Sequence, residues 1–109
     1  MKETKNLALL FKAVSDETRL KIIEILSCGE MCACDILEYF HITQPTLSYH
    51  MKTLTDSGLV TVRKESSWMK YNLNLELIAE IKQFWISIQE PKEDCICHSI
   101  KGGGKTCES

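Results

Sequence analysis

Residues 30–54, EMCACDILEYFHITQPTLSYHMKTL, leave the chain few ways to fold. A turn at His41-Ile42 is followed by Thr43 and Pro45. Threonine caps a helix because its hydroxyl accepts a first-turn amide, and proline in that turn leaves no amide unpaired. The helix so started carries Leu47, Met51 and Leu54 at i, i+4, i+7, an inward stripe. Before the turn, residues 35–40 place Ile36, Leu37 and Phe40 on one side of a short helix. Two helices joined this tightly form a helix–turn–helix.

The second helix has an unusual outer face. Gln44, Thr46, Ser48, Tyr49, Lys52 and Thr53 point outward, and His50 lies on the flank. Short hydrogen-bonding side chains and a lysine are what base edges and phosphates require, whereas a merely solvated face needs no such set. Ser57-Gly58 ends the helix, with Gly58 at the left-handed cap. Residues 59–64 and 69–73 then alternate apolar and polar around a turn at Glu65-Ser66-Ser67, the pattern of a β-hairpin. A hairpin directly after a recognition helix is a wing, and its Arg63, Lys64 and Lys70 are placed to touch phosphate. Trp68 is expected to pack beneath it.

The remaining segments brace this unit. Residues 5–14 form a helix with Leu7, Leu10, Phe11 and Val14 on one side. Ser15 or Asp16 caps the next, whose Leu20, Ile22, Ile23, Ile25 and Leu26 are apolar nearly all round and predict a central core helix, stopped by Gly29. Residues 75–89 carry Leu77, Ile78, Ile81, Phe84, Trp85 and Ile88 on a wide apolar face. That is more apolar surface than one small domain needs, so the first and last helices are expected to form a homodimer interface. The fold class is mainly α with a β-hairpin wing, a winged helix–turn–helix of order ααααββα. Residues 1–91 form the DNA-binding and dimerisation domain, and 92–109 a flexible cysteine-containing tail.

At 109 residues this is one small domain that gains from dimerisation. It has no apolar run of membrane-spanning length and no cleavage pattern of a secretory signal, so the expected location is cytoplasmic. Its six cysteines are then expected to be reduced and available to metal. Residues 41–71 carry Lys52, Arg63, Lys64 and Lys70 against Asp56 and Glu65, +4 − 2 = +2. Residues 15–40 carry two basic and six acidic side chains, +2 − 6 = −4. The positive region coincides with the reader and the acidic one with the thiols. An oxidoreductase would show Cys-x-x-Cys on a βαβ unit, and neither is present, so an enzyme is not expected.

Cys32 and Cys34 stand at the mouth of the helix that supports the reader. Thiolates select soft ions: trivalent arsenic or antimony takes three sulfurs, whereas zinc, cadmium and lead are suited by more ligands. On an ideal helix residues two apart lie about 200° apart, so the two thiols are expected to share an ion only if the helix start loosens or never forms. Candidates for a third sulfur are Cys28 and the tail thiols Cys95, Cys97 and Cys107, which are also a candidate second site or scavenging arm. His98 beside them would suit zinc better than arsenic. A thiol redox sensor is the alternative of a different class.

Three segments carry a resemblance: Ser15-Asp16-Glu17-Thr18-Arg19-Leu20, Glu30-Met31-Cys32-Ala33-Cys34-Asp35-Ile36 and Ser48-Tyr49-His50-Met51-Lys52-Thr53-Leu54. In these, and in helix order over residues 5–90, the chain resembles the ArsR/SmtB family of winged-helix metal-sensing repressors. The Glu-x-Cys-x-Cys-Asp signature is similar to that of the family's arsenical-resistance members. The resemblance implies a dimer that holds operator DNA and releases it when trivalent arsenic or antimony, or alternatively cadmium, lead or zinc, binds the cysteines. In the arsenical pattern a third cysteine follows three residues after the second; here that position is Leu37. The His/Asp site used by other members has no counterpart, since residues 75–89 contain neither residue.

Overall fold

The computed structural model describes residues 3–90, with side chains from residue 6 onward. Expectations for the tail, including Cys95, Cys97, Cys107 and His98, lie outside those residues. The chain runs α1 (Glu3–Val14), α2 (Glu17–Leu26), β1 (Met31–Cys32), α3 (Ala33–Leu37), α4 (Gln44–Ser57), β2 (Val60–Glu65), β3 (Trp68–Leu73) and α5 (Leu75–Gln89). The fold is the expected winged helix–turn–helix, with one strand added. β1 pairs antiparallel with β3, so the sheet has three strands in the order β1-β3-β2.

Helix starts follow their caps. Asp16 accepts the Arg19 amide at 3.1 Å, Thr43 accepts the Thr46 amide at 3.3 Å, and Asn74 accepts the Leu77 amide at 3.2 Å. Each satisfies an amide that the first turn cannot. α4 ends at Gly58, whose φ of +88° suits a residue without a side chain. α2 closes at Leu26, and Gly29, at φ +137°, redirects the chain into β1.

One apolar cluster lies under the reader: Ile22, Leu26, Ile36, Leu47, Met51, Leu54 and Val60 are buried together. A second joins Leu7 and Leu10 of α1 to Leu59, flanked by Ile78, Ile81 and Phe84 of α5. Two expectations need correction. Leu20 is 54 % exposed, because α2 buries one face through Ile22, Ile25 and Leu26 and is not surrounded. Trp68 does not pack under the hairpin. It pairs with Glu65 beside the hairpin tip and is half exposed.

Candidate thiol site and nucleic-acid interface

The two thiols are closer than a helix would allow. Cys32 is not in the helix; it is the N-cap of α3, at φ −87° and ψ 164°, extended because it pairs with Lys70 of β3. The chain turns helical only at Ala33, which brings Cys34 back toward Cys32. The Sγ atoms lie 3.0 Å apart, both free thiols joined by a hydrogen bond. The helix does not form at Cys32, one of the two expected conditions for sharing an ion, so the 200° separation does not arise. That hydrogen bond, then desolvation and the charges of Cys32 and Asp35, push the Cys34 thiol above its ordinary value.

Asp35 completes a cluster of three possible donors, its carboxylate oxygen and both Sγ atoms lying within 4.8 Å of one another. The sequence reading missed it, although it is adjacent to Cys34. Cys28 is exposed and does not join that cluster. The two thiols are donors that select a soft ion, and the carboxylate is a harder third donor beside them. Cys34 also lines a cavity of about 160 Å³ whose far wall is α4, through Gln44, Leu47, Ser48 and Met51. The thiol site and the reader therefore share a boundary.

The predicted DNA-contacting side chains divide by geometry. Gln44, Thr46, Ser48, Tyr49 and Lys52 are exposed on α4. Among the described residues Lys52 pairs with exposed Asp56, one turn on, at 3.1 Å, a contact that water and salt weaken. His50 is half-buried, and its Nδ1 lies 2.9 Å from the Arg19 guanidinium. A guanidinium only donates, so Nδ1 accepts and Nε2 carries the proton of the neutral ring. Arg19 also donates to the Ala13 carbonyl, which anchors it.

On the wing, Arg63 is held. Its Nε and Nη2 donate to Glu30 at 2.7 and 2.9 Å, and Glu30 also accepts from Asn72 at 2.7 Å. Arg63, then Asn72, holds the Glu30 carboxyl down to about 2. Glu30 thus belongs to the wing rather than to the thiol pair. Its partners are 33 and 42 residues away, a distance at which the sequence offers no signal. Lys70 lies 3.7 Å from Glu65, whereas Lys64 has no ion pair among the described residues. Across the sheet Cys32 faces Lys70, and Lys70 faces Arg63, a row from thiol to wing.

Residues 16–62 match the family model described as bacterial regulatory protein, arsR family. The chain is similar to an arsenical resistance operon repressor of Staphylococcus aureus, 46% identical over 99 residues, 91% of this chain and 95% of that one. Among solved structures it is similar to an ArsR-like transcriptional regulator from Rhodococcus sp. RHA1, with TM-score 0.73 and 22% identity, covering 82% of this chain and 84% of that one. It is also similar to a homodimeric winged helix-turn-helix DNA-binding domain from Mycobacterium bovis, with TM-score 0.66 and 24% identity, covering 79% and 80%.

Proposed function

Given that the chain belongs to the ArsR family of bacterial transcriptional regulators, we propose that it is a repressor that trivalent arsenic or antimony releases from operator DNA. The observation that carries this is the 3.0 Å approach of the Cys32 and Cys34 Sγ atoms at a junction touching both DNA-binding elements. Through β1 the junction is hydrogen-bonded to the wing, and through α3 it packs on α4. Drawing the two sulfurs onto one ion, with a third thiol, changes the turn from β1 into α3. The position of the wing relative to the recognition helix changes with it. Cys28 lies outside the donor cluster, which leaves Cys95, Cys97 and Cys107 as the favoured source of the third sulfur.

DNA is read by Gln44, Thr46, Ser48, Tyr49 and His50, with Lys52, Lys64, Lys70 and Arg63 toward phosphate, in a dimer joined through α1 and α5. Among the described residues no helix is long and apolar enough to cross a membrane. Asp35 within the donor cluster favours a second reading, a divalent cadmium, lead or zinc ion held by mixed sulfur and oxygen.

Full reversal of DNA occupancy from 99:1 to 1:99 needs roughly 5.5 kcal/mol of differential ligand affinity. Several thiolates can supply that and one cannot. Cys32→Ser and Cys34→Ser should each bind a selected inverted-repeat DNA as the parent does, yet stay bound when arsenite is added. Release of either variant at the parent's arsenite concentration overturns this assignment. Retained response after deletion of residues 91–109 moves the third ligand back to Cys28.

A further inference from the structure

The two residues of β1 pair only with β3, since the sheet order is β1-β3-β2. Met31 pairs with Tyr71 and Cys32 with Lys70, so Glu30 continues that ladder opposite Asn72. Cross-strand partners share a face of the sheet, and so do residues two apart along a strand. Glu30, Cys32, Arg63, Lys70 and Asn72 therefore stand on one face. Val60, Tyr71 and Leu73 stand on the other, against the core. From its place the Glu30 carboxylate accepts from Nε and Nη2 of Arg63 at 2.7 and 2.9 Å and from Asn72 at 2.7 Å. Among the described residues no other hydrogen bond joins residues 30–32 to β2. Arg63 is half exposed, and exposed ion pairs contribute little to folding. Two parallel bonds to one carboxylate nevertheless fix the plane of a guanidinium. Nη1 makes no hydrogen bond among the described residues, so a clamped Arg63 keeps a donor for a DNA phosphate.

We propose that Glu30 is a positioning residue of the repressor: through its clamp on Arg63, a shift of Cys32 moves the guanidinium of the wing relative to the DNA backbone. The inference rests on the reading of Cys32 and Cys34 as the arsenic-binding pair. Glu30 lies two residues from Cys32 on one short run, bounded by Gly29 at φ +137° and by the turn into α3. An ion that draws Cys32 toward Cys34 turns that run, and Glu30 carries Arg63 with it. Glu30 need touch neither the ion nor the DNA to link them.

Nearness alone does not establish coupling; the factor by which arsenite weakens DNA binding measures it. The test uses the reduced full chain, arsenite and a labelled inverted-repeat DNA. Arsenite binding is titrated on the free protein, and DNA affinity is read by fluorescence anisotropy with and without saturating arsenite. Glu30→Ala and Glu30→Gln should bind arsenite within about twofold of the parent, yet the coupling factor should fall about tenfold or more. Glu30→Gln keeps the size of the side chain and loses the bidentate carboxylate, so it carries the test should Glu30→Ala fold poorly. Arg63→Ala should lower the factor as well, and adding Glu30→Ala to it should lower it no further, because the two act as one unit. An unchanged factor in both Glu30 variants, independent losses in the double variant, or loss of arsenite binding along with the response overturns the positioning role. A parent that binds no arsenite, or that keeps its DNA when arsenite is bound, overturns instead the reading on which the inference stands.

Discussion

Single side chains decide how the site is held. Asp16 caps α2, the helix that supplies Ile22 and Leu26 to the core beneath the reader. The hydrogen bond from the Arg19 amide, the main cause, lowers its carboxyl below the ordinary 3.8. A depressed carboxyl contributes stability that is present above the unfolded value and is lost as pH falls through the folded one. Asp16→Ala should therefore cost about 1 kcal/mol at neutral pH, with the difference from the parent shrinking below about pH 4. Urea unfolding at pH 7 and pH 3 measures both; an equal difference at the two values would place the effect elsewhere than the charged cap. Caps such as Asp16, Thr43 and Gly58 were legible in the sequence because their chemistry is local. Arg19 beneath His50 was not, because that contact joins residues 31 apart.

At the level of elements, the four predicted helices preceding the wing, the hairpin and the last helix all form, although α3 spans Ala33–Leu37 rather than the expected 35–40 and leaves Phe40 outside the helix. β1 was not legible: two residues, Met31 and Cys32, are too short to show alternation. That strand is what brings the thiols together and ties them to the wing, so the key geometry of the site was hidden while its residues were plain. The wing carries a related consequence. Arg63 is engaged by Glu30, and Lys64 is not paired among the described residues. Phosphate contacts release counterions, about 0.9 per contact in the slope of log affinity against log salt. Lys64→Ala should flatten that slope by about one unit. Arg63→Ala should change it less, because the guanidinium must first leave a bidentate carboxylate. A larger loss for Arg63→Ala would mean that DNA breaks the Glu30 contact and takes Arg63 for itself.

Across the whole molecule, exposed apolar side chains are scattered over α2, the reader and the wing, among them Leu20, Tyr49 and Trp68, but those of α1 and α5 lie on two helices that touch. Leu9 of α1 and Leu75, Trp85 and Ile88 of α5 are all more than half exposed, and no residue of α5 is buried. Phe11, Phe84 and Trp85 form a run of aromatic contacts between the two helices, with Phe11 and Trp85 ring centres 5.6 Å apart. A partner laid across α1 and α5 covers this surface, and a two-fold copy of the chain does so with one patch used twice. In the proposed dimer such a copy would set two α4 helices on successive major-groove faces, about 34 Å apart, as an inverted repeat requires. Trp85 is already half exposed, so Trp85→Glu should leave the protomer folded, as its helical circular dichroism would confirm. A tryptophan in an interface core contributes about 2 kcal/mol or more, and two-fold symmetry counts it twice. About 4 kcal/mol is roughly a thousandfold in dimer dissociation. The variant should sediment as a monomer at micromolar concentration and lose operator affinity, though none of its α4 or wing residues has changed. A Trp85→Glu protein that stays dimeric and binds operator as the parent does would put the interface on another surface.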